Sequence, residues 1–234
     1  MTKPQQPMEA NCAACPIVKS TERRCVRADG KHPPDCPTAT MPDAARDSLG
    51  VYKSEAFREM ARVASQVERA GYAPEHNGLH AVRPRIMELV DFARRMRYGK
   101  LGLIFCMGLR KEAAITEKIL ATNGFDVVSA VCKVGCLPKS ELGLTGEEQL
   151  RPSGHETMCN PVMQAAITNR AGVDLNILLG LCVGHDSLVL AHLEAPATVL
   201  AVKDRLMGHN PLAALYMYDS FYAWMHKPMF EEDG

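Results

Sequence analysis

"VVSAVCKVGC", residues 127–136, is a short apolar run that ends in a thiol, with a second thiol four positions on. An apolar run of this length, rich in Val and closed by a Gly-containing turn, reads as a buried strand. Three other runs match it: "KLGLIFC" (100–106), "DLNILLGLC" (174–182) and "ATVLAVK" (197–203). The segments between them read differently. "LRKEAAITEKILATNG" (109–124) predicts a helix closed by Asn-Gly, "NPVMQAAITNRAG" (160–172) a helix with Pro161 at its start, and "HDSLVLAHLE" (185–194) a short one. Short apolar runs alternating with helices predict βαβ units and a parallel sheet covered on both faces. The expected fold is an α/β three-layer sandwich with a mostly parallel sheet.

Two helices are expected ahead of the sheet. "SEAFREMARVASQVERAGY" (54–72) carries Met60, Val63, Ala64, Val67 and Ala70 at helical spacing, with Ser54 as N-cap and Gly71 as stop, giving a helix over 54–71. A loop, "APEHNGLHAV" (73–82), follows. A second helix is expected over 84–98, with Ile86, Leu89, Val90, Ala93 and Met96 on one stripe and Gly99 ending it. "NPLAALYMYDSFYAWM" (210–225) is expected to form a last helix. Its cluster Tyr216, Tyr218, Phe221, Tyr222 and Trp224 reads as core packing in preference to a homodimer face.

Residues 1–48 differ in kind. They hold four cysteines, many prolines and hardly any apolar periodicity, so they read as an irregular cysteine-rich arm before an α/β domain over 49–234. An arm of that composition has no core of its own and needs something to fold around. Cys12, Cys15, Cys25 and Cys36 supply four soft ligands, enough for a tetrahedral zinc site or a [4Fe–4S] cluster, with His32 as a substitute ligand.

The bulk numbers narrow the function classes. Lys plus Arg and Asp plus Glu both number 27, and aromatic residues make up 6%, so neither a basic footprint nor base stacking points to nucleic acid. The longest apolar run, "ILLGLCVG" (177–184), is too short to cross a membrane. The first residues, "MTKPQQPMEANCAAC", lack the apolar stretch of a secretory signal, so the expected compartment is the cytoplasm. The nine cysteines, an odd number, argue against a secreted disulfide framework.

Five of these cysteines occupy one kind of position. Cys106, Cys132 and Cys182 end three of the predicted strands, Cys136 lies just past the second, and Cys159 stands in an N-cap-like place before a helix. In an open α/β sheet these positions all lie at the carboxyl ends of the strands, where such folds build their ligand sites. Helix N-termini there favour thiolates, and several thiolates in one crevice call for a shared cation or cluster. A plain core role is the competing reading for Cys106 and Cys182. His185, just beyond Cys182, is a candidate proton donor or ligand. "FCMGLRK" (105–111) brings Arg110 and Lys111 to a helix start, but its Cys-to-Arg spacing is shorter than that of cysteine phosphatases, and neither G-x-x-x-x-G-K-[ST] nor G-x-G-x-x-G occurs.

The cysteine-rich N-terminus, "FCMGLRKEA" (105–113), "VCKVGC" (131–136), "MCNPVMQAAITNRAGVDLNILLGLCVGHDSL" (158–188) and "APATVLAVKDRLMGHNPLAALY" (195–216) together resemble an uncharacterised prokaryotic family, domain of unknown function 1847. That family is described as metal-binding and cysteine-rich. The resemblance implies metal chemistry and names no substrate and no reaction.

The functional expectation is a protein with two thiolate-rich centres, one in the arm and one on Cys106, Cys132, Cys136, Cys159 and Cys182, with [4Fe–4S] ahead of zinc. Three classes follow. One is a redox or electron-transfer protein, an iron–sulfur oxidoreductase among them, with a redox partner or small-molecule substrate. The second is a Lewis-acid enzyme with an open coordination position and His185 as proton donor. The third is a zinc protein with a structural or metal-handling role.

Overall fold

The computed structural model describes residues 10–151 and 154–230. The first nine residues of the arm and the last four of the chain, which the expected divisions 1–48 and 49–234 include, lie outside the described residues. The chain divides into two compact units, Met1–Gln66 and Val67–Gly234, a division later in the chain than residue 48.

In the first unit a 3₁₀ turn, Ser20–Glu22, precedes an isolated parallel bridge between Arg23 and Lys31. Two helices follow, α1 (Pro37–Thr40) and α2 (Pro42–Lys53), and α3 (Glu55–Ala70) begins there. The irregular arm expected up to residue 48 therefore contains helix. Pro42 sits at the first turn of α2, where its missing N–H costs nothing, Asp43 lies in that turn and Lys53 in the last, so the ends match the helix dipole. Apolar periodicity missed α2 because none of its residues is buried.

The second unit opens with a hairpin in place of the expected loop. β1 (Tyr72–Glu75) pairs antiparallel with β2 (Gly78–Ala81), the register ending at Glu75 opposite Gly78. Gly78 has a φ of 133°, a conformation that L side chains avoid, and "NG" was the hairpin signal. Next come α4 (Arg85–Arg95), β3 (Lys100–Phe105), α5 (Arg110–Thr122), β4 (Asp126–Val131), α6 (Pro161–Ala171), β5 (Leu175–Leu181), α7 (His185–Leu190), β6 (Ala197–Val202) and α8 (Leu212–Tyr216). α4 stops at Arg95 instead of residue 98, because Arg97 turns into the left-handed region at φ 58°. The long C-terminal helix is replaced by α8 and a short 3₁₀ turn, Ala223–His226. Of its aromatic cluster only Tyr222 is buried, which corrects the core-packing expectation for the other four.

The four main strands lie in the order β4-β3-β5-β6, all parallel. Alternation along each strand builds a core on either face. Leu101 and Leu103 of β3 with Leu175, Ile177 and Leu179 of β5 pack against Leu89 and Ala93 of α4 and Ala113 and Leu120 of α5. Ile104 and Leu178 pack against Ala165 of α6 and Val189 of α7. All seven residues of β5 are buried, and each such Leu or Ile contributes about 1.5–3 kcal/mol of transfer free energy.

One irregularity matters for the site. Gly180 in β5 has a φ of 68°, and the β5–β6 register shifts on either side of Leu179. Leu179 belongs to the α4/α5 core while Leu181, two residues on, belongs to the α6/α7 core, so the bulge reverses the alternation. Only glycine fits there: a Cβ on Gly180 would lie 1.8 Å from Leu109 Cδ1.

Among the described residues no helix is long and apolar enough to cross a membrane.

Candidate functional site

The thiols are delivered by strand register. β3 and β4 are paired up to Phe105 and Val131, so Cys106 and Cys132 are the next neighbours across the ladder. The backbone keeps them there: Cys106 N–H donates to Leu179 O at 3.1 Å, and Cys132 N–H to Phe105 O at 2.9 Å. Ile104 and Ala130, two residues earlier, are also register partners, and Ile104 faces α6 and α7. By alternation Cys106 and Cys132 leave the sheet on that same side.

The third thiol comes from the start of α6. Asn160 N–H donates to Cys132 O at 2.8 Å and pins the preceding Cys159 beside Cys132. Asn160, not Cys159, is the N-cap: its Oδ1 accepts from Met163 N–H at 3.0 Å. A carboxamide oxygen accepts that bond far better than a thiol, so the cap falls one residue later than the sequence suggested.

Side-chain hydrogen bonds join Cys106 to Cys132 and Cys132 to Cys159. The result is a chain of three sulfurs with Cys132 at its middle. Cys132 is buried, keeps its proton, and is held well above the usual thiol range by its two sulfur neighbours and by burial. Its partners move the other way. The Cys106 thiol is lowered to about 5, chiefly by the Cys132 hydrogen bond, with help from Gly108 N–H and the Lys203 ammonium. The Cys159 thiol is lowered to about 6, again chiefly by Cys132, aided by Lys133 and His185. Met107 N–H donates to Cys132 Sγ at 3.3 Å. Two lowered thiols thus flank a raised one, with Lys203, Lys133 and His185 from three segments around them.

Gln164 locks the three segments together. It is fully buried on α6, and its Nε2 donates to Ala130 O at 2.8 Å and to Phe105 O at 3.1 Å, carbonyls two residues before Cys132 and one before Cys106. Its Oε1 is buried and has no hydrogen-bond partner among the described residues.

The other two sheet-edge cysteines engage elsewhere. Cys136, at a strained φ of 49°, is exposed, with Thr157 Oγ1 at 3.6 Å and His155 Nε2 at 3.9 Å. Cys182 accepts from Arg205 Nη2 at 3.0 Å. His185 begins α7 and lies near enough to Cys159 to act on it electrostatically. In the arm, Cys12 and Cys25 are exposed while Cys15 and Cys36 are half-buried, and no hydrogen bond joins any two of these thiols among the described residues. Arg110 and Lys111 open α5.

Lys203, Lys133 and Gln164 were not singled out in the sequence. Lys203 had a signal: it follows β6 as Cys106 follows β3 and Cys132 follows β4. Gln164 had none, since a glutamine inside a helix reads as surface until the packing is known.

Among the described residues no group of three or more His, Cys, Asp or Glu side chains is arranged to hold a metal ion as it stands, which agrees with an open chain of sulfurs. In kind, sulfur donors suit a thiophilic metal: Cys132 links Cys106 and Cys159, whose thiols are both lowered, with Lys203 and Lys133 nearby.

No solved structure matches the chain at a significant level. An uncharacterized protein of Methanocaldococcus jannaschii, MJ0455, is 37% identical over 174 residues, covering 74% of this chain and 84% of that protein. The chain belongs to the family described as protein of unknown function DUF1847, which matches residues 36–200 and so spans Cys36 and all five cysteines of the sheet edge.

Proposed function

We propose that the chain is a cytoplasmic metal-binding protein whose centre at the carboxyl edge of the sheet, on Cys106, Cys132 and Cys159, holds an iron–sulfur cluster with a redox or electron-transfer role. One observation carries this reading: strand register sets Cys106 beside Cys132, and the Asn160 N–H bond to Cys132 O brings in Cys159, so three thiols from distant segments gather at one edge. Thiolates are the ligand form for iron–sulfur clusters, and a shared metal relieves their mutual repulsion. A bound cluster would supply one-electron chemistry. The chain's own residues bind it, balance its charge through Lys203 and Lys133, and shield it by the burial of Cys132. The substrate class is a redox partner or a small molecule that takes or gives one electron. Cys12, Cys15, Cys25 and Cys36 in the arm form the second proposed centre, on composition alone.

A second reading keeps the same site. Only three cysteines are joined, because Cys136 and Cys182 are engaged by other groups. A metal with three protein ligands keeps an open position for a Lewis-acid enzyme, zinc or cluster, with His185 as proton donor.

The test is metal and sulfide analysis with a visible spectrum on anaerobically purified protein. Iron and acid-labile sulfide in a brown protein, bleached by dithionite, are the expected result. Zinc as the sole metal overturns the iron–sulfur reading, and full retention of the core metal by Cys159→Ser overturns the site.

A further inference from the structure

Cys136 is held in a conformation that side chains seldom adopt. Gly135 and Cys136 both have positive φ, 87° and 49°. The turn is fixed on two sides: Cys136 N–H donates to Lys133 O at 3.3 Å, and a Cβ on Gly135 would stand 2.8 Å from Met163 Sδ of α6. The residue so placed is exposed to solvent.

A second segment is clamped against it. Pro138 and Thr157 form an antiparallel bridge, with Met158 N–H donating to Leu137 O at 2.8 Å and Lys139 N–H to Glu156 O at 2.8 Å. Lys139 Nζ pairs with Glu156 Oε1 at 2.7 Å, and Lys133 Nζ donates to Thr157 O. Alternation turns Glu156 one way and His155 and Thr157 the other. Both of the latter meet the thiol: Thr157 Oγ1 lies 3.6 Å and His155 Nε2 3.9 Å from Cys136 Sγ, and the two lie 3.1 Å apart. The three groups can form one hydrogen-bonded line, the thiol donating to Thr157 Oγ1 and that hydroxyl donating to an unprotonated His155 Nε2. A nucleophile, a base and a group that orients them make an activated thiol. Cys12 and Cys25 are exposed as well, yet among the described residues neither has a side-chain hydrogen-bond partner.

We propose that Cys136, His155 and Thr157 form a reactive-thiol site that exchanges with low-molecular-weight disulfides, separate from the centre on Cys106, Cys132 and Cys159 and independent of any metal. Exchange asks only for a proton acceptor when the thiol attacks and a proton donor for the departing sulfur, and one histidine supplies both in turn. Cys136 Sγ attacks one sulfur of R–S–S–R while its proton passes through the Thr157 hydroxyl to His155. The new S–S bond forms as the old one breaks, the departing R–S⁻ carries the electron pair, and His155 returns the proton to give R–S–H. The soluble disulfide is itself the oxidant.

The experiment treats the reduced, full-length protein with oxidised glutathione at neutral pH, quenches in acid, and times the mixed disulfide at each cysteine by peptide mass spectrometry. Cys136 is expected to react about tenfold faster than Cys12 and Cys25, less than a positioned base contributes in a closed site because water reaches this one. His155→Gln is expected to bring Cys136 down to the rate of Cys25. Thr157→Val is expected to slow it in the same direction, whereas Thr157→Ser, which keeps the hydroxyl, stays near wild type. A wild-type Cys136 no faster than Cys12 and Cys25 overturns the proposal, and so does a His155→Gln protein in which Cys136 keeps its lead. Equal losses in Thr157→Ser and Thr157→Val remove the threonine from the proton path and overturn the three-residue site.

Discussion

Cys106 and Cys132 stand side by side, one step past the last registered pair of β3 and β4, Phe105 and Val131. In a parallel ladder, partners in register point the same way, so these two sulfurs meet without any contribution from loop geometry. Cys159 then joins through a single backbone bond, Asn160 N–H to Cys132 O. The centre is built on rigid elements at two of its three corners.

The ligand set follows from that geometry. Cys106→Ser, Cys132→Ser and Cys159→Ser should each lose the core metal, whereas Cys136→Ser and Cys182→Ser should keep it. Iron and sulfide content per chain, measured on the five variants, checks this. Metal loss in Cys182→Ser would mean that the Arg205 contact opens to admit a fourth ligand.

In the metal-free chain, iodoacetamide should label Cys106 and Cys159 ahead of Cys132, since the thiolate is the nucleophile. As pH falls from 7, approximately, labelling of Cys159 should halve near its value of about 6, and that of Cys106 nearer about 5. Cys132, protonated and buried, should stay unlabelled throughout. Peptide mass spectrometry resolves the three rates; equal labelling of all three at pH 7 would contradict the hydrogen-bonded chain.

Gln164→Leu should cost about 1–3 kcal/mol, because the buried carbonyl of Ala130 loses its side-chain donor and that of Phe105 loses one of two. Urea unfolding measures it. The same variant should speed labelling of Cys132, whose segment is no longer tied to α6.

Gly180→Ala should destabilise by more than about 2 kcal/mol, combining left-handed backbone strain with overpacking against Leu109. Denaturant titration tests it, with Gly124→Ala as a control: that glycine also has a positive φ, 90°, but open space around it.

Much of the fold was legible along the chain. The four apolar runs became β3, β4, β5 and β6 because strands buried on both faces are apolar throughout, a local signature. α2 was not legible, since its residues are exposed and its proline-rich surroundings read as irregular. The hairpin of β1 and β2 was missed for a similar reason: four-residue strands with exposed side chains carry no apolar pattern, and only Asn77-Gly78 marked the turn.

By itself the sequence determined that five cysteines occur at strand ends and helix starts, and therefore that they gather at one edge of a parallel sheet. Which sulfurs touch was decided by the tertiary structure. Register placed Cys132 beside Cys106, the Asn160 bond brought in Cys159, and the bulge at Gly180 reversed the alternation of β5 before Cys182, whose sulfur meets Arg205 instead. The physical reason is scale. Hydrophobic pattern is read over a few neighbouring residues, whereas a sulfur's partner depends on pairings between segments far apart in the chain, where one residue of slip turns a side chain to the opposite face.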